Sequence, residues 1–391
     1  MRIAQVSPLI ESVPPQLYGG TERVVSYLTE ELVRQGHEVT LYATGDSVTS
    51  ARLVPVTPRA LRLDESVKDP LAHQVRMVDR VARDADSYDV IHFHIDYLHY
   101  PMLRHVPTPT LTTLHGRLDI PDLVALYRDF PDAPVVSISD AQRLPLPWLK
   151  WQATIHHGLP HLAITPNLAP GRYLAFLGRV SREKGIERAI EIARGAEMPL
   201  KVAAKIDDVD KRYFRRDIAP LLERAHVEFI GELGEDDKLA FLGHAAALVF
   251  PIDWPEPFGL VMIEAMSCGT PVVAYRRGSV AEVIEDGVSG FVVDEIGPAV
   301  AAVRRAVRLP RAAVRAAFER RFTVDRMARD YIRVYERAIA ASRGMGWTPA
   351  TLTVADSVGI PIAGAPSDDP TQVAANDPRP TARTDEAASA G

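Results

Sequence analysis

PIDWPEPFGLVMIEAMSCGTPVVA, residues 251–274, follows the apolar run Ala246–Phe250 and ends in a second one, Pro271–Ala274. Short apolar runs on either side of a helical stretch read as two parallel strands joined by a helix. Glu256 precedes Pro257, which steers its backbone away from helical angles, so Glu256 belongs to an extended loop at the carboxyl end of the first strand. A helix then opens near Gly259 or Leu260 and carries Glu264. Its first N–H groups lack partners within the helix and lie at the positive end of the macrodipole, so the turn 258–261 (Phe258, Gly259, Leu260, Val261) offers a place for a phosphate. Carboxylates touching that phosphate would be repelled by it. Placed on either side of it, Glu256 and Glu264 suit vicinal sugar hydroxyls, which donate paired hydrogen bonds. The plainer reading is a helix start decorated with acids that favour its dipole.

The same rhythm extends outward in both directions. Strands are predicted at 2–7, 38–43, 89–94, 108–114, 134–137 and 154–156, and again at 173–177, 200–204, 227–229, 246–250, 271–274 and 291–293. Strands alternating with amphipathic helices define an α/β protein whose parallel sheets are covered on both faces. Two domains follow, over 1–160 and 173–324. The Pro- and Gly-rich stretch HHGLPHLAITPNLAPGR (156–172) contains the linker, taken as 161–172. In MARDYIRVYERAIA, Met327, Tyr331, Val334 and Ala338 share a helical stripe flanked by Tyr335, which predicts a last helix over 325–342. Residues 348–391 hold no aromatic, six prolines, six acids and two arginines. Such a segment cannot bury enough apolar surface to order itself, and a disordered tail is expected.

Composition narrows the function. The 391 residues are 47% apolar and 25% charged, which excludes wholesale disorder and coiled coil. A formal charge of -6 leaves no basic surplus for a phosphate backbone, so no nucleic-acid partner is expected. The single cysteine, Cys268, can form neither an intramolecular disulfide nor a cysteine cluster and fits a reducing compartment. No apolar run approaches the ~18 residues of a membrane span. MRIAQVSPLIESVPP lacks a secretory pattern, and a cytoplasmic protein is expected.

Two more segments carry chemistry. YLAFLGRVSREKGIERAI, from Tyr173, is a strand followed by Gly178, Arg179 and Lys184 at the mouth of a helix. Cations at the carboxyl end of a domain's first strand lie where open α/β sheets bind ligands, and could neutralise a departing diphosphate. Alternatively they form a solvated charged turn with Arg182, Glu183 and Glu187. YGGTERVVSYLTEELVRQG places Gly19 and Gly20 before Thr21, a potential N-cap, and a helix with Val24, Val25, Leu28 and Leu32 inward. Glycines there allow close approach of backbone to a ligand, or simply make a turn. Neither GxGxxG nor GxxxxGK[ST] occurs, so neither a dinucleotide fingerprint nor a P-loop is supported.

Taken together, EPFGLVMIE, GRVSREKG, GGTE, the HG of TTLHG and CGTPVVA resemble the retaining glycosyltransferases of family 4, over about residues 1–342. The resemblance implies the GT-B architecture, two Rossmann-like domains facing across a cleft, with a C-terminal helix crossing back onto the first domain. It implies a hexosyl transfer from a nucleotide diphosphate sugar to a saccharide, lipid or other small-molecule acceptor, with no cofactor or metal required. Arg179 and Lys184 would bind the diphosphate, Glu256 the donor sugar and Glu264 the ribose. Backbone N–H groups of Phe258, Gly259, Leu260 and Val261 would complete those contacts. Gly19 and Gly20 would close on the donor, Leu233 would meet the base, and His115 is similar to the family's cleft histidine. His94 and Asp96 fall on the acceptor side. Where many relatives carry Asn-Gly-x-Asp, this chain has His157, Gly158, Leu159 and Pro160. A sugar-nucleotide-binding protein without activity, an epimerase and a phosphorylase are the alternatives.

Other residues admit competing readings. His92 and His94 share a strand face and could hold zinc, or be packed and hydrogen-bonded. Asp84 with Asp86 and Asp208 with Asp210 are Asp-x-Asp pairs, which hold a divalent cation in the GT-A architecture; both flank predicted helices, where acids are ordinary. Cys268 reads as a packing residue. RRAVRLPRAAVRAAFERR, from Arg304, is an arginine-rich amphipathic stretch, either a solvated helical face or a peripheral contact with an anionic membrane.

Overall fold

The computed structural model describes residues 1–344 apart from 17–18, 162–163 and 224–225; the segment 348–391, read above as a tail, lies outside the described residues. Among the described residues thirteen strands form two parallel sheets. The first contains β1 (Arg2–Val6), β2 (Glu38–Thr44), β3 (Arg52–Thr57), β4 (Val90–Phe93), β5 (Thr110–Thr113), β6 (Val135–Ser137) and β7 (Trp151–Thr154), in the order β3-β2-β1-β4-β5-β6-β7. The second contains β8 (Tyr173–Arg179), β9 (Leu200–Lys205), β10 (Val227–Gly231), β11 (Ala245–Phe250), β12 (Val272–Tyr275) and β13 (Gly290–Val293), in the order β10-β9-β8-β11-β12-β13. These are doubly wound sheets, with topological switch points between β1 and β4 and between β8 and β11.

Two strands depart from the sequence reading. β3, RLVPVT, has no counterpart among the predicted strands, and its Pro55 cannot donate to a ladder. It survives because it pairs only with β2, at the sheet edge, where the missing N–H can face outward. β7 occupies 151–154 rather than 154–156; it is the opposite edge, half-buried throughout, and lacks the apolar run that marks a central strand.

The two crossings of the domain junction run side by side. Leu159 donates its N–H to Phe322 O, and Val324 returns one to Leu159 O, both at 2.9 Å. Gly158 permits that approach, since a Cβ there would lie 2.3 Å from Thr323 O. The chain then enters the helix Val324–Ser342, which packs on the first sheet, its Met327, Tyr331, Val334 and Tyr335 buried among Ile3, Val24, Val90 and Leu111. Tyr335, not the half-buried Ala338, completes that apolar stripe.

The arginine-rich stretch divides between the helices Ile296–Ala306 and Arg311–Arg321. Arg304, Arg305, Arg308 and Arg320 are exposed, as a solvated face requires, whereas two other arginines serve the interior. Arg311 is buried and donates to Asn167 O (2.6 Å), Ala245 O (2.7 Å) and Gly243 O (2.7 Å). Arg315, also buried, donates to His161 O (2.7 Å) and Ile164 O (3.1 Å). Guanidinium forks here satisfy the carbonyls of His161, Ile164 and Asn167 in the interdomain segment and those of Gly243 and Ala245, where a helix passes into β11.

Candidate active site

Carboxyl ends of both sheets face a shared cavity of about 390 Å³, the size of a small-molecule site. Gly19, Gly20, Arg23, His115 and His157 line it from the first domain. From the second come Lys184, Lys205, Leu233, Lys238, Glu256, Phe258, Gly259, Leu260, Val261 and Glu264. Its floor is the start of the helix Leu260–Ser267, whose N-cap Gly259 has φ 78°. A side chain there would be strained, and its Cβ would meet Met262 Cε at 2.8 Å.

Lys184 and Glu256 form a tight pair. Lys184 Nζ lies 2.5 Å from Glu256 Oε2, and Trp254 Nε1 donates to the same oxygen at 3.0 Å. The ammonium also sits over the Trp254 ring, 5.1 Å from its centroid. The loop is held by Asp253 N donating to Glu183 O at 2.7 Å. A cation and a carboxylate are thus presented side by side, 14% and 11% exposed, ahead of an open helix N-terminus.

Glu264 belongs to a second chain of charge. Lys238 reaches Glu264 at 2.6 Å and Glu235 at 2.8 Å, and Glu235 is approached from the other domain by Arg23 at 3.3 Å and the Tyr27 hydroxyl at 3.1 Å. Burial disfavours the Lys238 ammonium, yet Glu264 and Glu235 outweigh it and raise its pKa. Burial likewise works against the Glu235 carboxylate, but Lys238 and Arg23 bring its pKa below the usual range.

Three sequence candidates stand outside the cavity wall. Arg179 is turned away, paired with Glu183 at 3.1 Å and Asp207 at 3.5 Å. Acids two and four residues beyond the ends of β9 and β8 hold its guanidinium. His94 is buried behind His115 and touches it through a 2.9 Å hydrogen bond between His94 Nδ1 and His115 Nε2. Asp96 lies past the end of β4, exposed, with a left-handed φ of 50°. His115 itself is half-buried, stacked on His157 with ring centroids 5.5 Å apart, and burial pushes its pKa down to about 3, so it is neutral near pH 7.

Sequence reasoning missed Lys205, Lys238, Glu235, Arg23 and His157. Lys205 ends β9 and could have been found by the strand-end rule that found Arg179. Lys238 could not, because its partner Glu264 is brought to it only by packing of two helices. His92 is buried, with Nδ1 2.7 Å from the Tyr335 hydroxyl and Nε2 2.7 Å from Thr113 Oγ1. Asp84 accepts from the Tyr42 hydroxyl at 2.7 Å and Asp208 pairs with Lys211 at 2.6 Å. Among the described residues no group of three or more His, Cys, Asp or Glu side chains is placed to hold a metal. Cys268 is buried, and that burial pushes its thiol up to about 11.

Two family descriptions match successive parts of the chain, Glycosyltransferase Family 4 over residues 18–177 and Glycosyl transferases group 1 over 166–316. The chain belongs to the family 4 glycosyltransferases. It is similar to the phosphatidyl-myo-inositol mannosyltransferase of Mycobacterium leprae, 28% identical over 337 residues covering 75% of this chain and 83% of that one. Among solved structures it resembles AviGT4, a glycosyltransferase involved in avilamycin A biosynthesis, at 27% identity and TM-score 0.67, covering 87% of this chain and 98% of that one. It also shares its fold with Anabaena Alr3699/HepE, solved in complex with UDP-glucose, at 18% identity and TM-score 0.65, covering 86% of this chain and all of that one. The architecture of this glycosyltransferase is therefore GT-B. None of its described helices is long and apolar enough to cross a membrane.

Proposed function

We propose that this glycosyltransferase moves a hexosyl unit from a nucleotide diphosphate sugar to an acceptor hydroxyl with retention of configuration. The observation that carries the reading is the convergence on one cavity of Lys184, Glu256, Glu264 and the open N-terminus of Leu260–Ser267, opposite His115, Gly19 and Gly20. The barrier is charge separation at the C–O–P bond. As the anomeric C–O bond breaks, its electron pair goes to the diphosphate, which Lys184 and the free N–H groups of residues 258–261 are placed to receive. The new C–O bond forms on the same face, and the acceptor proton passes to the departing phosphate oxygen. Glu256, released from Lys184 by the phosphate, accepts from donor-sugar hydroxyls. Glu264 holds the ribose, with Lys238 balancing its charge, and Leu233 meets the base. Arg179 joins by exchanging Glu183 and Asp207 for the diphosphate.

Fixed cations of this kind make a metal unnecessary, and turnover should persist in excess EDTA. The first domain, 1–160, takes the acceptor, with His94 and Asp96 on that side; the second, 173–324, takes the donor; the helix 325–342 links them. A cytoplasmic enzyme, touching a membrane only peripherally, fits this chemistry. Thermal-shift screening against UDP, GDP and ADP sugars tests the reading, because a ligand that binds only the folded state raises its stability. A matching donor should also be slowly hydrolysed without acceptor, giving the retained anomer by NMR. No shift and no hydrolysis with any of the three would overturn it.

A further inference from the structure

Behind His115 lies a buried polar chain. Gln5, near the carboxyl end of β1, accepts through Oε1 from His94 Nε2 at 2.8 Å and donates through Nε2 to the Tyr335 hydroxyl at 3.1 Å. The Tyr335 hydroxyl is 2.7 Å from His92 Nδ1, His92 Nε2 is 2.7 Å from Thr113 Oγ1, and Thr113 Oγ1 is 2.8 Å from the Tyr331 hydroxyl. Gln5, His92, Tyr331 and Tyr335 are completely buried and His94 nearly so. Such a chain is not needed to hold the fold, because apolar side chains of the same size would fill the space without polar groups to satisfy.

The protons in this chain follow from the orientation of the Gln5 amide, Oε1 toward His94 and Nε2 toward Tyr335. A neutral imidazole has one donor and one acceptor nitrogen, and burial holds His92 and His94 neutral by lowering both pKa values. Gln5 Oε1 can only accept, so His94 Nε2 carries the proton and His94 Nδ1 is bare. His115 Nε2 must then donate to it, which leaves His115 Nδ1 bare as well. In the other direction the Gln5 amide donates to Tyr335, whose own proton goes to His92 Nδ1, and His92 Nε2 donates to Thr113. Every bond has one proton. Rotating the Gln5 amide by half a turn reverses all of them together and would make His115 Nδ1 a donor.

We propose that Gln5, anchored by Tyr335 of the last helix, is a positioning residue that sets the tautomer of His115, leaving Nδ1 as an acceptor for a sugar hydroxyl in the cavity. His115 lines that cavity, and its Nδ1 has no hydrogen-bond partner among the described residues. The hydroxyl it takes is one that donates, which fixes the orientation of that hydroxyl's proton. The functional part of this statement rests on the glycosyl-transfer reading; the tautomer does not.

The test separates the two. Long-range proton–nitrogen correlation spectra of the full-length, ligand-free protein, with His115 assigned by its loss in His115→Ala, should show the tautomer protonated at Nε2. A His115 protonated at Nδ1 would overturn the assignment whatever reaction the protein catalyses. In Gln5→Leu, or in Gln5→Asn, whose shorter amide cannot span both partners, the His115 signals should move toward a tautomer mixture. With a donor that turns over, kcat should fall about tenfold, the worth of one hydrogen bond, with the donor KM changed less. A His115 spectrum and kcat unchanged in a folded variant would remove Gln5 from this role.

Discussion

Lys184 and Glu256 compensate each other's charge in the cavity wall, so their removal should affect stability and activity differently. Lys184→Ala leaves a nearly buried carboxylate with one indole donor. It should cost about 3 kcal/mol in urea unfolding and lower kcat on the order of 100-fold or more. Adding Glu256→Ala should recover much of the stability and none of the activity; a double variant with restored turnover would exclude both from catalysis. His115 is neutral over the working pH range and offers one hydrogen bond. His115→Ala should therefore slow transfer by about tenfold without abolishing it, and should leave the acid limb of the pH–rate profile in place. Complete loss of activity in that variant would mean that the imidazole moves a proton.

Among the elements, the helix Leu260–Ser267 is the one on which the site depends. Its eight residues start from Gly259 in a left-handed conformation, beneath the loop that carries Glu256. Gly259→Ala forces a Cβ into strained backbone and against Met262, and should cost about 1–3 kcal/mol. If that turn supplies the phosphate N–H groups as proposed, affinity for the nucleoside diphosphate, measured by calorimetry, should fall in the same variant. Unchanged affinity would show that the phosphate binds elsewhere. The elements most easily read from sequence were the central strands, whose continuous apolar runs reflect burial on both faces. The edges β3 and β7 were missed or displaced because half-exposed strands need no such run.

At the scale of the molecule, two features lead to measurable behaviour. Glu235 joins Arg23 and Tyr27 of one domain to Lys238 of the other across the cavity mouth. Glu235→Ala should loosen this contact and increase the radius of gyration of the donor-free protein in solution scattering. Equal values for both proteins would mean that the contact does not hold the domains together. The buried histidines set the acid response. His92, His94 and His99 have folded pKa values below those of the unfolded chain, His99 at about 3. The unfolded state therefore binds more protons below about pH 6.5, and stability is lost as the pH falls, by about 1.4 kcal/mol per unit for each such group. The melting temperature should drop steadily from pH 7 to 5, and less steeply in His99→Phe, which keeps the ring stacked on Phe93.

Local patterns were enough to determine much of this. Two parallel sheets follow from short apolar runs alternating with amphipathic helices. The loop at Glu256 follows from Pro257, and the helix opens at Leu260, where the pattern put its start. Each of these depends on neighbours within a few positions, where backbone sterics and burial act directly. What only the tertiary structure decided is which charges meet. Arg179 pairs with Glu183 and Asp207 rather than the cavity, Lys238 bridges Glu235 to Glu264, and Gln5 stands between His94 and Tyr335, 330 residues away in sequence. Hydrogen bonds and ion pairs depend on ångström distances that the packing of separate elements sets, and no periodicity along the chain records them.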